Sequence, residues 1–243
     1  MDFEAFAEVV KSRRAIRKFK PDPIPDEYIE EILDVARWAP SGGNAQPWEF
    51  IVVKDPEMKQ KIEDLYLKLD HARSRIWETT RREDLRHWAA TMGKPNIAGA
   101  PVIIVPVGDL RTTYASVVAV HVLYHLRNLE NMTNVTLLIH LAAVALGLGV
   151  QWVSLEEPSM GPFKNLLGIP ETYHIYSIAP MGYAAYQPSP AYRRELKEIT
   201  HSDKYEMSKY RSDEQIIDFI ATLRKTTRGM KNISLEDDSD QAG

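Results

Sequence analysis

Two clusters of polar side chains near the start of the chain have the types and spacing of a ligand site. Arg13, Arg14 and Arg17 place three guanidiniums within five residues. Planar, forked donors of this kind match the oxygens of a phosphate. The second cluster is Ser41-Gly42-Gly43-Asn44-Ala45-Gln46-Pro47-Trp48, directly after Ala39-Pro40. Ser41, Asn44 and Gln46 bring together a hydroxyl and two amides. Amides both donate and accept, which suits a heteroaromatic ring with mixed edges. The two glycines permit positive φ, so the backbone can lie close against a flat ligand. Each cluster alone also has a plain structural reading. Cations at a helix C-terminus favour its dipole, and Ser, Gly, Asn and Pro are ordinary turn residues.

Several other chemistries find no support. The chain has no cysteine, which excludes a thiol nucleophile, a disulfide framework and thiolate metal ligation, and fits a reducing cytoplasm. His121 and His125 could share a helix face, but Val122 stands where the zinc-protease pattern needs Glu, so no metal site is expected. There is no Gly-x-Ser-x-Gly elbow and no Walker A loop. "GLGVQW" ends a helix and enters a strand, the reverse of a dinucleotide-binding turn. No acid–base dyad emerges, so no side chain is assigned as catalytic. Cofactor-type binding groups without a dyad fit a site whose chemistry a flavin carries. The net charge of −4 argues against nucleic acid or an anionic membrane surface as partner. The N-terminus lacks the pattern of a signal peptide, and no apolar run is long enough to span a bilayer.

The elements that must position these residues follow from the pattern. Asp2 caps a first helix with Phe3, Phe6, Val9 and Val10 on one face, and the arginines follow its end. Lys20 to Pro25 is an extended linker. Asp26 opens a second helix with Ile29, Ile32, Leu33 and Ala36 inward, stopping at Pro40. Strands are expected at Trp48–Lys54, Ala100–Val107, Val150–Ser154 and His174–Met181. Asp55-Pro56 starts a helix, and a polar stretch runs on to Met92. Trp77 and Trp88 sit among its charges, as a lid or partner surface or on a helix covering the core. Residues 112–149 read as two helices hinged near Asn128 to Asn134. The second, Thr133 to Leu146, is apolar nearly all round and is expected to be central and buried. A short helix covers Gly161–Leu167, and a last one runs from Ser212 to about Arg228. Residues 1–230 form one domain, and the acidic tail 231–243 is expected to be disordered. The order of elements implies an α+β layered fold rather than a doubly wound sheet.

Taken together, these stretches resemble the nitroreductase family of FMN-dependent oxidoreductases. The likeness is carried by "SRRAIRKFKPDPIPDEYIEEILDVARWAPSGGNAQPWEFIVVKD", then "ALGLGVQWVS", "LLGIPE", "PMGYA" and "RRELKEITH", in family order. It implies a small, mostly antiparallel central sheet packed with helices in an intertwined homodimer. It further implies bound FMN, reduction by NADH or NADPH, and hydride transfer to an aromatic or otherwise unsaturated small molecule in a ping-pong cycle. By the same resemblance Arg13, Arg14 and Arg17 hold the FMN phosphate and nearby atoms, joined by Arg193 and Arg194. The family usually has Ser where this chain has Ala15, so one hydroxyl contact is missing. Ser41, Asn44 and Gln46 face the flavin from the other subunit. Ser154, Leu155 and Glu156 pass along the flavin edge. The lid spans about 64–96. The stretch "GKPNIAGAPVIIV", which begins at its end, is similar to the iodotyrosine-deiodinating branch, which puts Lys94 near the substrate, and Trp77 and Trp88 are further candidate substrate contacts within the lid. The Glu and Tyr of that branch's amino-acid clamp have no matching positions. A flavin-binding store or sensor without turnover is the alternative from another functional class.

Overall fold

A computed structural model of the chain describes residues 2–71, 95–112 and 124–227, with backbone alone at 124–126 and 223–227. These residues belong to two compact units, Met1–Gln187 and Pro188–Gly243.

In the first unit, helix α1 (Phe3–Ser12) is capped by Asp2, whose carboxylate accepts the Glu4 N–H at 3.3 Å. Helix α2 (Asp26–Ala36) buries Ile29, Ile32 and Ala36. Strand β1 (Trp48–Val53) leads to helix α3 (Pro56–Tyr66), which Asp55 caps and Pro56 starts. Then come strand β2 (Val102–Asp109), helix α4 (Tyr124–Ala145) and strands β3 (Gly149–Val150) and β4 (Val153–Ser154). Helix α5 (Met160–Leu167) ends at Gly168, whose φ of 68° makes it a left-handed cap. Strands β5 (Tyr173–Ile175) and β6 (Ser177–Gly182) close the unit.

The strands form one sheet in the order β1-β2-β6-β3, with β4 also on β6 and β5 also on β2, and every pairing is antiparallel. Side chains alternate between two cores. Val102 and Ile104 pack with Ile29 and Ile32 of α2 and with Val135 and Ile139 of α4. Ile103, Val105 and Val107 pack with Ile62 of α3 and Phe163 of α5. Every residue of β2 and β6 is buried, so helices cover the sheet on both faces. The fold is α+β, as expected.

The structure differs from the sequence reading in three places. The expected third strand is interrupted at Gln151–Trp152. Gln151 lies opposite Pro180, which has no N–H to return to the ladder. The expected fourth strand carries a bulge. Val107 opposes Ile175 while Ile104 opposes Ala179, one residue more on the β5–β6 side. The third difference is α4, which is one continuous helix with no hinge at Asn128–Asn134. Asparagine is a weak helix former, but Asn131 and Asn134 make tertiary hydrogen bonds that offset this.

Nor is α4 buried all round within one chain. Met132, Val135, Ile139 and Ala143 are buried, while Leu129 and Leu137 are 42% and 47% exposed. Helix α1 buries no residue at all, and Phe3 is 78% exposed.

The second unit contains helix α6 (Leu196–Ile199) and helix α7 (Asp213–Thr227). No residue from 188 to 222 is buried. Trp77, Trp88, Lys94, His121 and the tail from 231 lie outside the described residues, as does most of the expected lid.

Candidate cofactor site

The loop between α2 and β1 is held in an uncommon shape. Gly43 has φ 63°, while Gly42 keeps a negative φ. The left-handed region extends instead to two residues with side chains, Asn44 at φ 52° and Gln46 at φ 46°. Such backbone costs energy and persists where surrounding bonds fix it. Those bonds are present. The Asn44 N–H donates to Ser41 O and the Gln46 N–H to Ser41 Oγ, both at 3.0 Å. Gln46 Nε2 donates to Asn44 O at 3.3 Å. From α4, Asn131 Oδ1 accepts the Gly42 N–H at 3.0 Å, and Asn134 Nδ2 donates to Pro40 O at 3.1 Å. The loop's far end is fixed by the Asp109 N–H donating to Pro47 O. Asn44 and Gln46 are nonetheless exposed. The loop therefore presents two amide heads on a rigid base.

The arginine segment lies at the opposite edge of the sheet, beside β3. Ala15 bridges Val150, and the Ile16 N–H donates to Val150 O at 3.2 Å. Gly149 permits this approach, because a Cβ there would lie 2.3 Å from Ile16 Cγ1. Arg14 is partly buried, with Nη1 donating to Lys11 O and Arg13 O, and its Nε is buried without a partner. Among the described residues neither Arg14 nor Arg17 pairs with a carboxylate. The Gln151 Oε1 and His140 Nε2 of the same region are also buried and unpartnered. Uncompensated guanidinium donors beside open polar atoms fit a phosphorylated, hydroxylated ligand such as FMN.

His140 was not singled out by the sequence. It is 3% exposed, with its ring 5.8 Å from that of Trp152. Burial, and then the nearby Arg13 guanidinium, hold its pKa down to about 4. An unfolded histidine takes up a proton near pH 6.5, so the unfolded state binds more protons between these values. The stability contribution of neutral His140 is complete above pH 6.5 and is lost as pH falls through 4, by about 3 kcal/mol in total. Urea unfolding at pH 4.5 and 7.5 should show much less difference for His140→Gln than for wild type.

Ser154, Leu155 and Glu156 follow β3 and form the end of β4 and the turn after it. The structure thus places Arg13, Arg14, Arg17 and residues 154–156 along one edge of the sheet. It does not bring the Ser41–Gln46 loop to them. Nine positions separate Asn131, which carries the loop, from His140, which faces Arg13. That is about two and a half helical turns, so the two halves sit on opposite faces of α4. Arg193 and Arg194 belong to the second unit. There Arg193 Nη1 donates to Tyr192 O, and Arg194 Nη2 donates to Glu198 O at 2.9 Å.

A profile of the nitroreductase family matches residues 10–183. This chain belongs to the nitroreductase family. An iodotyrosine deiodinase of Nematostella vectensis is 30% identical over 193 residues, covering 74% of this chain and 67% of that protein. A solved oxidised iodotyrosine deiodinase, bound to FMN and 3-iodo-L-tyrosine, superposes with a TM-score of 0.66 at 24% identity. It covers 82% of this chain and all of its own. An NADPH:FMN oxidoreductase of Vibrio harveyi, complexed with NAD+, gives a TM-score of 0.68 at 19% identity, covering 91% and 85%. At these identities the two solved structures speak for a shared fold. The nitroreductase match ends before the second unit begins. Among the described residues no helix is long and apolar enough to cross a membrane, and no cluster of side chains could hold a metal.

Proposed function

We propose that this nitroreductase-family chain is an FMN-dependent oxidoreductase, reduced by NADH or NADPH and passing hydride to an aromatic or otherwise unsaturated acceptor in a ping-pong cycle. The observation that carries the proposal is Arg14, partly buried with an unpartnered Nε, in a segment that packs on β3 four residues before Ser154. Bound FMN supplies the two-electron chemistry, and the protein binds it, orients it and excludes water. Arg13, Arg14 and Arg17 hold the phosphate, and residues 154–156 line the ring edge. Ser41, Asn44 and Gln46 complete the site from a second copy of the chain, because one copy holds the halves on opposite faces of α4. The exposed apolar surfaces of α1 and α4 give that homodimer its interface. A cytoplasmic setting agrees with the absence of cysteine.

Reductive dehalogenation is the second reading, favoured by the 30% identity to an iodotyrosine deiodinase. Mixing the flavin-loaded protein anaerobically with NADH and with NADPH tests the proposal. Bleaching of the flavin by at least one is expected. An unbleached spectrum with both points to a flavin store or to a different electron donor. Asn131→Ala, which leaves the Gly42 N–H without its acceptor, should weaken FMN binding about fivefold while the circular dichroism stays unchanged. Titration of apo-protein followed by flavin fluorescence checks this.

A further inference from the structure

Helix α3 does not stop at a cap. It widens into a π-helical turn at Leu67–His71, which buries Asp70 and His71. Such turns are rare and recur at functional positions. Asp70 is 1% exposed. Its Oδ1 accepts the Glu156 N–H at 2.8 Å and the Ser159 hydroxyl at 2.9 Å. Its Oδ2 is buried, and among the described residues it accepts nothing and no cation pairs with the carboxylate. Tyr66, one turn earlier, has its phenol pushed up by burial and then by Asp70 and Glu156.

Burying a carboxylate this deeply is costly for stability alone. An amide or hydroxyl could have accepted the same two hydrogen bonds at lower desolvation cost. The anchored segment is the one that lines the ring edge in the flavin reading. We infer that Asp70 is a positioning residue for Ser154–Glu156, and that its charge, held behind that segment, lowers the reduction potential of the bound flavin. This rests on the FMN reading above. The hydrogen bonds to Oδ1 fix the backbone, because bonds to a carboxylate are stronger than neutral ones. A negative charge held there opposes electrons arriving at the ring. At an effective dielectric of about 20, a unit charge roughly 10 Å away shifts an equilibrium by about tenfold.

Two variants separate position from charge. Asp70→Asn keeps an acceptor oxygen and the size but removes the charge. Asp70→Ala removes the acceptor as well. Amide hydrogen exchange at Glu156, measured without flavin, reports the anchor. Spectroelectrochemistry of the FMN-loaded protein reports the charge. Asp70→Ala should speed Glu156 exchange at least tenfold. Asp70→Asn should keep much of the protection and favour reduced flavin about tenfold, an upward shift of about 30 mV for a two-electron couple. Ser159→Ala strips one donor from the carboxylate and leaves its charge less neutralised, so it should move the potential downward. If Asp70→Asn fails to fold, Ser159→Ala decides the matter. Wild-type potentials in every folded variant would overturn the proposal. Wild-type protein that takes up no FMN would instead sink the flavin reading, a distinct outcome because exchange at Glu156 is read without flavin.

Discussion

Apo-protein titrated with flavins should bind FMN more tightly than riboflavin by several kcal/mol, and Arg14→Ala should remove most of that difference. The two ligands share the ring and the ribityl chain and differ only in the phosphate. The expected margin follows from the donors. A hydrogen bond to a charged group is worth about 1.5–3 kcal/mol, and Arg14 carries an unpartnered Nε beside Arg13 and Arg17. Its Nη1 is tied to Lys11 O and Arg13 O, so the guanidinium is already oriented before a ligand arrives. The substitution should therefore cost FMN at least tenfold in affinity and leave riboflavin nearly unchanged. Arg14 is not part of either hydrophobic core, so apo-protein stability should hold. Equal affinity of wild type for the two flavins would show that the arginines are merely surface charges.

The second large effect is on stability. The melting temperature should rise with protein concentration and again with added FMN, since in the proposed dimer chain association and FMN binding both favour the folded state over the unfolded chain. FMN at a hundredfold excess over its dissociation constant should add about 2.7 kcal/mol. The apolar surface on α1 and α4 motivates this. Phe3 and Phe6 on α1, and Leu129 and Leu137 on α4, are exposed in one chain. Removing apolar area from water is worth about 25 cal/mol per Å², so an interface that covers these residues makes a real contribution to folding. Differential scanning calorimetry over a hundredfold range of protein concentration measures it. A melting temperature independent of concentration, with a flavin-loaded monomer in sedimentation, would contradict the dimeric site.

Much of this architecture was legible in the residues. Capping at Asp2 and Asp55, the prolines from 21 to 25 and the apolar run Val102–Val107 mark elements by local rules, and those elements are present. What escaped was set by tertiary partners. The break at Gln151 depends on Pro180 across the sheet. The bulge at Tyr176 depends on two strands sharing β2. The continuity of α4 depends on asparagines that bond a loop some ninety residues earlier. The candidate site divides the same way. Its ligand-facing groups stand out by type, as with the arginines and the Ser41–Gln46 amides. Their supports do not, because Asn131, His140 and Asp70 look ordinary in a helix and matter only through what they touch. One signal was available. Asn128, Asn131 and Asn134 recur every three residues, so they fall close to one face of a helix they do not favour.

In the proposed arrangement one flavin site needs two chains, arginines from one and the Ser41–Gln46 loop from the other. Subunit complementation tests it most directly. Arg14→Ala and Asn44→Ala are prepared separately, each depleted of FMN, then unfolded, mixed in equal amounts and refolded together with FMN. In a two-fold dimer the mixed species pairs the intact arginine of one chain with the intact loop of the other, and its second site carries both defects. About a quarter of all sites should regain wild-type affinity, seen as a tight phase in the FMN titration that neither variant shows alone. A mixture that binds FMN no better than its two components would place both halves of the site within a single chain and contradict the account.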